Sequence, residues 1–342
     1  MIGPAISADI ERVLVIVLGS LGDAVLATAP IAALRAYHSS AQITVLTPRA
    51  NVRYFVNMPF VDRIDARWPT RKPMDNVKFQ WALRNERYGM IYDLTNTEDS
   101  EIIFKLLNPF PPNWSGDVAG CSHPHVDRSR LTLHRLDRHS DQMMVCGVGP
   151  KEGYAPGLSP LPDLEWTREM LKDPAKASPA YHGIHGAFAL LAPEGPPEEP
   201  AKRWPSARYG ELANALLDRN IQPVIVGGPG AVGLATEVRA IAPRALDMVA
   251  RLDMFQFIDL ARVATLAVGT ESDLAIIAAA SGAPTLAIIN PNEASVRKAA
   301  PRGIATVGLV ARNFETISVG DVLSAARAVA PAVALTVASA TS

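Results

Sequence analysis

The sequence predicts a two-domain α/β protein in which each domain is a parallel β-sheet covered by helices on both faces. Short apolar runs of strand length alternate with helical patterns along both halves of the chain, as expected for repeated β-α units. Two segments rich in proline and glycine, 149–163 and 173–186, flank a short predicted helix at 164–172 and indicate the domain junction. The length of 342 residues is enough for two domains of ordinary size.

The first half begins with the β-branched run RVLVIVL, which is bounded by glycine and is typical of a strand buried on both faces. Three further apolar runs predict strands, and helical patterns follow the first and the last strand. Residues 108–132 are rich in proline, glycine and polar residues and predict a long irregular loop. The predicted strands are 12–18, 42–46, 61–64 and 90–94, and the closing helix is 134–147.

The second half repeats the alternation, and we therefore predict two Rossmann-like domains facing a central cleft. The N-terminal domain is expected at 1–165, a linker at 166–186, the C-terminal domain at 187–330 and a flexible tail at 331–342. The predicted strands of the second half are 188–192, 222–226, 266–269, 285–289 and 305–309, and its helices are 206–219, 232–241, 254–264, 272–281 and 319–330.

Composition narrows the classes of partner and compartment. The 33 basic and 34 acidic side chains nearly cancel, so we expect no nucleic-acid partner. The two cysteines, Cys121 and Cys146, cannot form a disulfide framework, which favours a reducing cytoplasm. The sequence shows neither the features of a signal peptide nor an apolar run of about 18 residues without turn signals, so we expect a cytoplasmic chain without a membrane span.

The turn LGSLGDAVLATAP, at 18–30, supplies the first candidate functional residue. Gly19 and Gly22 let the chain turn sharply between a strand and a helix, with Ser20 between them, and Asp23 stands where a helix N-cap is expected. Ligands of open α/β sheets bind at the carboxyl ends of the strands. Asp23 is therefore predicted to lie at the ligand-binding edge, with the three turn residues around it.

A G-x-G-x-x-G pattern at 228–233 follows a predicted strand and precedes a helix, as in dinucleotide sites. Pro229 removes one backbone donor, and Asp247 is the only acid near the expected spacing. We therefore prefer a turn that admits some phosphate group over a nicotinamide site.

The cluster Cys121, His123 and His125 has the residue types of a metal site but lacks a second Cys or His pair at zinc spacing. Loop packing or substrate contact is the preferred interpretation, and no metal is expected.

Two further turns in the second half favour an anionic ligand. Lys202 and Arg203 precede a helix whose expected N-cap is Ser206, so charge and helix dipole act together. The turn at 269–273 opens the next helix, whose amides could hold a diphosphate. A solvated basic loop and an ordinary turn capped by Ser272 stay open as alternatives.

Taken together, these motifs resemble glycosyltransferase family 9, the lipopolysaccharide heptosyltransferases, over residues 12–290. The matching motifs are Leu21-Gly22-Asp23 with Pro30, Asp93-Leu94-Thr95, Lys202-Arg203-Trp204-Pro205, Val226-Gly227-Gly228, Val268-Gly269-x-Glu271-Ser272 and Ala278-Ala-Ala-x-Gly-x-Pro284.

The resemblance implies a GT-B fold, with an acceptor-binding N-terminal domain and a nucleotide-sugar-binding C-terminal domain. It implies inverting, metal-independent transfer of heptose or a related sugar from a nucleotide diphosphate, such as ADP-heptose, to a lipopolysaccharide or other surface glycan. The resemblance implies no cofactor. It does imply peripheral contact with the inner membrane. Asp23 takes the position of the catalytic base. The donor-side residues are Lys202, Arg203, Gly227, Gly228, Glu271, Ser272 and Asp273.

The chain departs from the family pattern in the donor half, where Asp273 and Ile276 replace a glycine and a histidine. In the acceptor half, Val17 stands where the family commonly has a cation. Two alternatives to transfer therefore stay open: a catalytically silent relative that binds glycan or protein, and an NAD(P)-dependent oxidoreductase based on 228–233. Turnover of a nucleotide sugar would exclude the catalytically silent relative, and absence of NAD(P) binding would exclude the oxidoreductase.

Overall fold

The structure is a computed structural model that describes residues 6–67, 73–125, 132–195, 203–291 and 300–334. The chain divides into two compact units, 1–163 and 164–342. Within the described residues, each unit contains one six-stranded sheet whose strands all pair in parallel. The predicted fold class, α/β with two parallel sheets, is confirmed.

The sheet of the first unit has the strand order β3-β2-β1-β4-β5-β6. Residues 13–16 of the central strand β1 are fully buried, because neighbouring strands and helices cover both edges and both faces. Ile16 pairs with both Leu46 and Asp93, so the carboxyl ends of β1, β2 and β4 lie side by side. The strands are β1 (Arg12–Ile16), β2 (Gln42–Leu46), β3 (Arg63–Asp65), β4 (Met90–Asp93), β5 (Asn113–Gly116) and β6 (His123–Pro124).

Six helices accompany this sheet in the described residues: α1 (Leu21–Leu26), α2 (Thr28–Tyr37), α3 (Val52–Phe55), α4 (Pro73–Asn85), α5 (Glu98–Leu107) and α6 (Arg135–Val145). The predicted irregular loop at 108–132 is wrong in part, because β5 and β6 lie inside it. Trp114 of β5 is fully buried against Phe104, with ring centroids 5.2 Å apart, which explains why so polar a segment joins the sheet.

The sheet of the second unit has the order β12-β11-β10-β7-β8-β9. Its strands are β7 (Phe188–Ala192), β8 (Gln222–Ile225), β9 (Leu246–Asp247), β10 (Leu266–Gly269), β11 (Thr285–Ile289) and β12 (Thr306–Val310). Its helices are α7 (Ser206–Leu217), α8 (Val232–Ile241), α9 (Met254–Arg262), α10 (Asp273–Ala280) and α11 (Val319–Ala326). Gly269 pairs with Ala192, so the carboxyl ends of β7 and β10 adjoin.

The segment 166–186, expected as a linker, belongs to the second unit. It carries 3₁₀-helices at Glu165–Met170, Pro174–Ala177 and Pro179–His182, where the sequence predicted an α-helix over 164–172. Arg262 of α9 donates to the carbonyl of Leu164 and, at 2.9 Å, to the hydroxyl of Thr167, which ties the segment to the domain. Of the expected flexible tail, 331–334 form a 3₁₀-helix that buries Val333, and 335–342 lie outside the described residues.

Candidate functional site

The turn after β1 holds Asp23 in a capping box. Ser20, and not Asp23, is the N-cap of α1, and Asp23 is the third helical residue. The Oδ2 atom of Asp23 accepts the Ser20 backbone N–H at 3.0 Å and the Ser20 hydroxyl at 3.3 Å. The predicted N-cap is therefore wrong by three residues, because the box fixes the aspartate one turn further into the helix. Gly22 is buried beside it in α1.

Arg135, the first residue of α6, forms an ion pair with the Oδ1 atom of Asp23. Both side chains are partly exposed. The Asp23 carboxylate is thus held from both sides, by the Ser20 amide on one oxygen and by a guanidinium on the other. This arrangement fixes its orientation at the carboxyl end of β1.

Gly19 is required because a side chain there would collide with this carboxylate. A Cβ atom added at Gly19 would lie 2.0 Å from Oδ2 and 2.6 Å from Cγ of Asp23. The turn itself is held by Asn51, whose Nδ2 donates to the carbonyls of Gly19 at 2.9 Å and Ser20 at 3.3 Å. The glycine that opens the turn therefore serves the seating of Asp23.

Gly19→Ala is expected to push the Asp23 carboxylate off the Ser20 amide and to destabilise the protein by about 0.5–2 kcal/mol, the usual value of a helix cap. Urea denaturation measures the change in the free energy of unfolding. Gly233→Ala is the control, because a Cβ at Gly233 meets no atom within 4 Å. A Gly19→Ala protein as stable as the control would show that the turn accommodates the methyl group.

One face of α6 lines the same edge of the sheet. Arg135, His139 and Gln142 recur at helical spacing. The Nε2 atom of His139 donates to the carbonyl of Leu94 at 3.1 Å, and Nε2 of Gln142 donates to the carbonyl of Asp93 at 2.9 Å. Burial lowers the pKa of His139 to about 3, so the imidazole is neutral at physiological pH.

Asp93 ends the neighbouring strand β4 and is only 1% exposed. Its Oδ1 atom accepts the backbone N–H groups of Asn96 at 2.9 Å and Thr95 at 3.0 Å. Burial raises the pKa of Asp93 to about 6, although these hydrogen bonds oppose the shift. Thr95 also accepts the Leu18 N–H at 2.8 Å, so Asp93 supports the start of the glycine turn.

The raised pKa of Asp93 makes stability depend on pH between about 4 and 6. The folded state binds the proton more tightly than the unfolded chain, so Asp93 costs stability as pH rises through this window. Relative to wild type, Asp93→Asn is expected to gain about 2–3 kcal/mol between pH 4 and pH 7. Chemical denaturation of both proteins at each pH measures this difference, and a constant difference would contradict the prediction.

In the second unit, the glycine turn after β8 already holds a carboxylate. Both Glu194 oxygens lie 3.1 Å from the Gly228 backbone nitrogen. Gly227 is required at this turn, since a Cβ there would lie 2.5 Å from the Ala231 Cβ atom. The G-x-G-x-x-G pattern predicted that backbone amides of this turn bind a phosphate, but Glu194 occupies the Gly228 amide. This geometry disfavours a dinucleotide pyrophosphate at 228–233.

The turn after β10 is separated from the turn after β8 by one strand, β7. Ser272 is the N-cap of α10, as in the alternative of an ordinary capped turn, and its hydroxyl accepts the Ala275 N–H at 3.4 Å. Glu271 accepts the backbone N–H of Asn290 at 2.6 Å, so its carboxylate braces the loop after β11. Asp273 is the first residue of α10 and is partly buried.

Of the basic pair, Lys202 lies outside the described residues, and Arg203 is partly buried. The neighbouring Trp204 is 1% exposed and donates from Nε1 to the carbonyl of Ile317 at 3.0 Å. The expected N-cap at Ser206 is wrong: Pro205 occupies that position without a side-chain bond, and the Ser206 hydroxyl donates to Glu237.

The described residues contain no group of three or more Cys, His, Asp or Glu side chains that could hold a metal ion. His123 bonds to Ser122 at 2.9 Å, and His125 bonds to Asp141 at 2.9 Å, so both act in loop packing. No helix in the described part of the chain is long and apolar enough to cross a membrane.

Sequence reasoning missed three residues that shape these sites: Asn51, Arg135 and Glu194. Each reaches its partner across a large separation along the chain, and none lies in a recognisable motif. Only one feature of the sequence bears on the cation beside Asp23: Val17 stands where the family commonly has a basic residue. Arg135, from α6, is the cation that the structure pairs with Asp23.

Comparison with known proteins gives the family. A model described as "Glycosyltransferase family 9 (heptosyltransferase)" matches residues 77–302. A search of curated proteins found no match.

Solved structures show the fold. Escherichia coli ADP-heptose lipopolysaccharide heptosyltransferase II is 20% identical, with a TM-score of 0.72 over 94% of this chain and 98% of that one. The family 9 glycosyltransferase of Veillonella parvula DSM 2008 is 16% identical, with a TM-score of 0.74 over 96% and 99%. Escherichia coli heptosyltransferase WaaC with ADP-2-deoxy-2-fluoro heptose is 15% identical, with a TM-score of 0.68 over 92% and 98%.

These likenesses confirm the GT-B fold that the motifs implied. The family model covers about two thirds of the chain and extends into both units. The chain therefore belongs to glycosyltransferase family 9, the heptosyltransferase family.

Proposed function

We propose that this glycosyltransferase transfers heptose or a related sugar from a nucleotide diphosphate to a hydroxyl group of a bacterial lipopolysaccharide or another surface glycan. The seating of Asp23 is the observation that carries the proposal: a carboxylate at the carboxyl end of β1, held by Ser20 and Arg135 and given room by Gly19. The first unit binds the acceptor and the second binds the nucleotide sugar. A glycolipid acceptor would place the reaction at the inner face of the inner membrane.

Asp23 acts as the general base. The acceptor oxygen forms a bond to the anomeric carbon, the bond from that carbon to the diphosphate breaks on the opposite face, and the acceptor proton passes to Asp23. The configuration at the anomeric carbon is inverted. Ser20 donates twice to Oδ2, which leaves Oδ1, the oxygen paired with Arg135, to take the proton.

Protein groups, without a metal, stabilise the negative charge that develops on the leaving diphosphate. The amides at the N-terminus of α10, after Ser272, and the basic pair Lys202 and Arg203 supply this stabilisation. A WaaC structure is described as holding ADP-2-deoxy-2-fluoro heptose. ADP-heptose is therefore the first donor to test.

A thermal-shift screen of nucleoside diphosphates and their sugars tests the donor half. A ligand at about 100 times its dissociation constant stabilises the protein by about 2.7 kcal/mol. The nucleotide sugar that binds is then offered with lipopolysaccharide acceptors, and product is detected by mass spectrometry. Binding without turnover would favour the catalytically silent alternative, and a shift with NAD(P) alone would favour the oxidoreductase.

Asp273→Gly is expected to tighten nucleoside-diphosphate binding. Two like charges about 5 Å apart repel by roughly 3 kcal/mol at an effective dielectric of 20, and Asp273 lies in the first turn of the helix proposed to hold the diphosphate. Glu271→Asp and Ile276→His, added to Asp273→Gly, should tighten binding further. Calorimetry measures the affinities, and equal values for wild type and Asp273→Gly would show that this carboxylate points away from the ligand.

A further inference from the structure

The glycine turn of the second unit is shaped around the Glu194 carboxylate. A Cβ atom at Gly227 would lie 3.3 Å from the Glu194 Cδ atom, and Cβ atoms at Gly228 and Gly230 would lie 3.6 and 3.9 Å from Oε1. Both carboxylate oxygens lie 3.1 Å from the Gly228 nitrogen. The carboxylate therefore packs on the glycine turn, most closely at Gly227, where an added side chain would press against it.

Glu194 is fixed at its backbone as well as at its side chain. The hydroxyl of Thr270, which is fully buried, donates to the Glu194 carbonyl at 2.9 Å. Glu194 thereby joins the loops that follow β7, β8 and β10, three strands that adjoin in the sheet. A residue held in this way can present its carboxylate to a ligand with little loss of entropy.

The carboxylate has unused acceptor capacity. An ionised carboxylate offers about four lone-pair sites. Among the described residues, the Gly228 N–H is the one donor to it. The remaining sites favour a ligand with hydroxyl groups and repel a ligand phosphate from the same amide. The two adjacent hydroxyls of a ribose match the two oxygens, the chemistry by which acids at strand ends hold nucleoside riboses.

We propose that Glu194 binds the ribose hydroxyls of the donor nucleotide and thereby selects ribonucleotides over deoxyribonucleotides. The assignment rests on the proposed function, since it needs a nucleotide donor in the second unit. In this assignment the glycine turn positions a carboxylate that binds the sugar, and the turn itself does not bind phosphate.

Calorimetry with ADP, 2′-deoxy-ADP and 3′-deoxy-ADP tests the proposal on wild type, Glu194→Gln and Glu194→Ala. If UDP, GDP or CDP binds more tightly than ADP, its deoxy forms replace those of ADP. Wild type is expected to prefer the ribonucleotide over at least one deoxy form by about 10–100-fold, the value of a hydrogen bond to a charged group. The preference should fall close to 1 in Glu194→Ala and to an intermediate value in Glu194→Gln.

Glu211→Gln is the control, because Glu211 is an exposed carboxylate on α7 and its removal should leave the preference unchanged. Equal affinity of wild type for the ribonucleotide and both deoxy forms would overturn the assignment without any variant. So would a Glu194→Ala protein that keeps the wild-type preference for the ribonucleotide, since another residue would then make the selection. A wild type that binds no nucleoside diphosphate would overturn the proposed function with it.

Discussion

Asp23→Asn is expected to lower the rate of glycosyl transfer by about 10²–10⁴-fold, the usual effect of removing a general base. The asparagine carbonyl can still accept the Ser20 N–H, so the fold and the affinity for the nucleotide should change little. Initial rates with a confirmed donor and acceptor give the effect, and a melting curve checks the fold.

The matched control for this variant is Asp99→Asn, which removes an exposed carboxylate from the first turn of α5. It should keep the wild-type rate. If Asp23→Asn also keeps that rate, Asp23 serves only in the capping box, and the mechanism proposed for the first unit is wrong.

Trp204→Ala is expected to destabilise the second unit by about 3–5 kcal/mol, the usual range for removing a buried tryptophan. The indole is 1% exposed, packs on Tyr209 with ring centroids 4.8 Å apart, and donates to the carbonyl of Ile317. Loss of the indole leaves a cavity and, beside it, an Ile317 carbonyl without its hydrogen-bond donor. Urea denaturation gives the change in unfolding free energy.

Trp204→Phe separates the two contributions. The smaller ring keeps much of the packing but removes the N–H donor, so we expect a loss of about 1–3 kcal/mol, the cost of a buried acceptor without its partner. A Trp204→Ala protein with wild-type stability would show that this part of the domain repacks around the missing ring.

The strands were predictable because buried parallel strands are continuous apolar runs. Four strands, at 42–46, 188–192, 266–269 and 285–289, have the predicted bounds. The two-residue strands β6 and β9 were not predicted because they carry too little periodicity. Strand β5 was missed because Asn113, Ser115 and Gly116 leave Trp114 without an apolar run around it. Helix α4 was missed because Met74, Val77 and Trp81 are largely exposed, which hides the buried pair Phe79 and Leu83.

The candidate site was predictable where one residue and its neighbours along the chain define it. Asp23 lies at the expected strand end because the glycine turn that places it is local. The Arg135 ion pair and the Glu194 contact were not predictable, because each depends on how distant segments pack in three dimensions. The proposed role of Lys202 stays a prediction, since that residue lies outside the described part of the chain.

Each sheet takes all six of its strands from one half of the chain, and the order counted from the N-terminus of each half is the same, 3-2-1-4-5-6. The segment that follows the first strand therefore carries Asp23 in one half, in the first turn of α1, and Glu194 in the other half. Because the two halves share no strand in the described residues, substitutions in the loops of one half leave the strand pairing of the other half intact. If the proposed function holds, the donor sugar could therefore change while the acceptor stays the same.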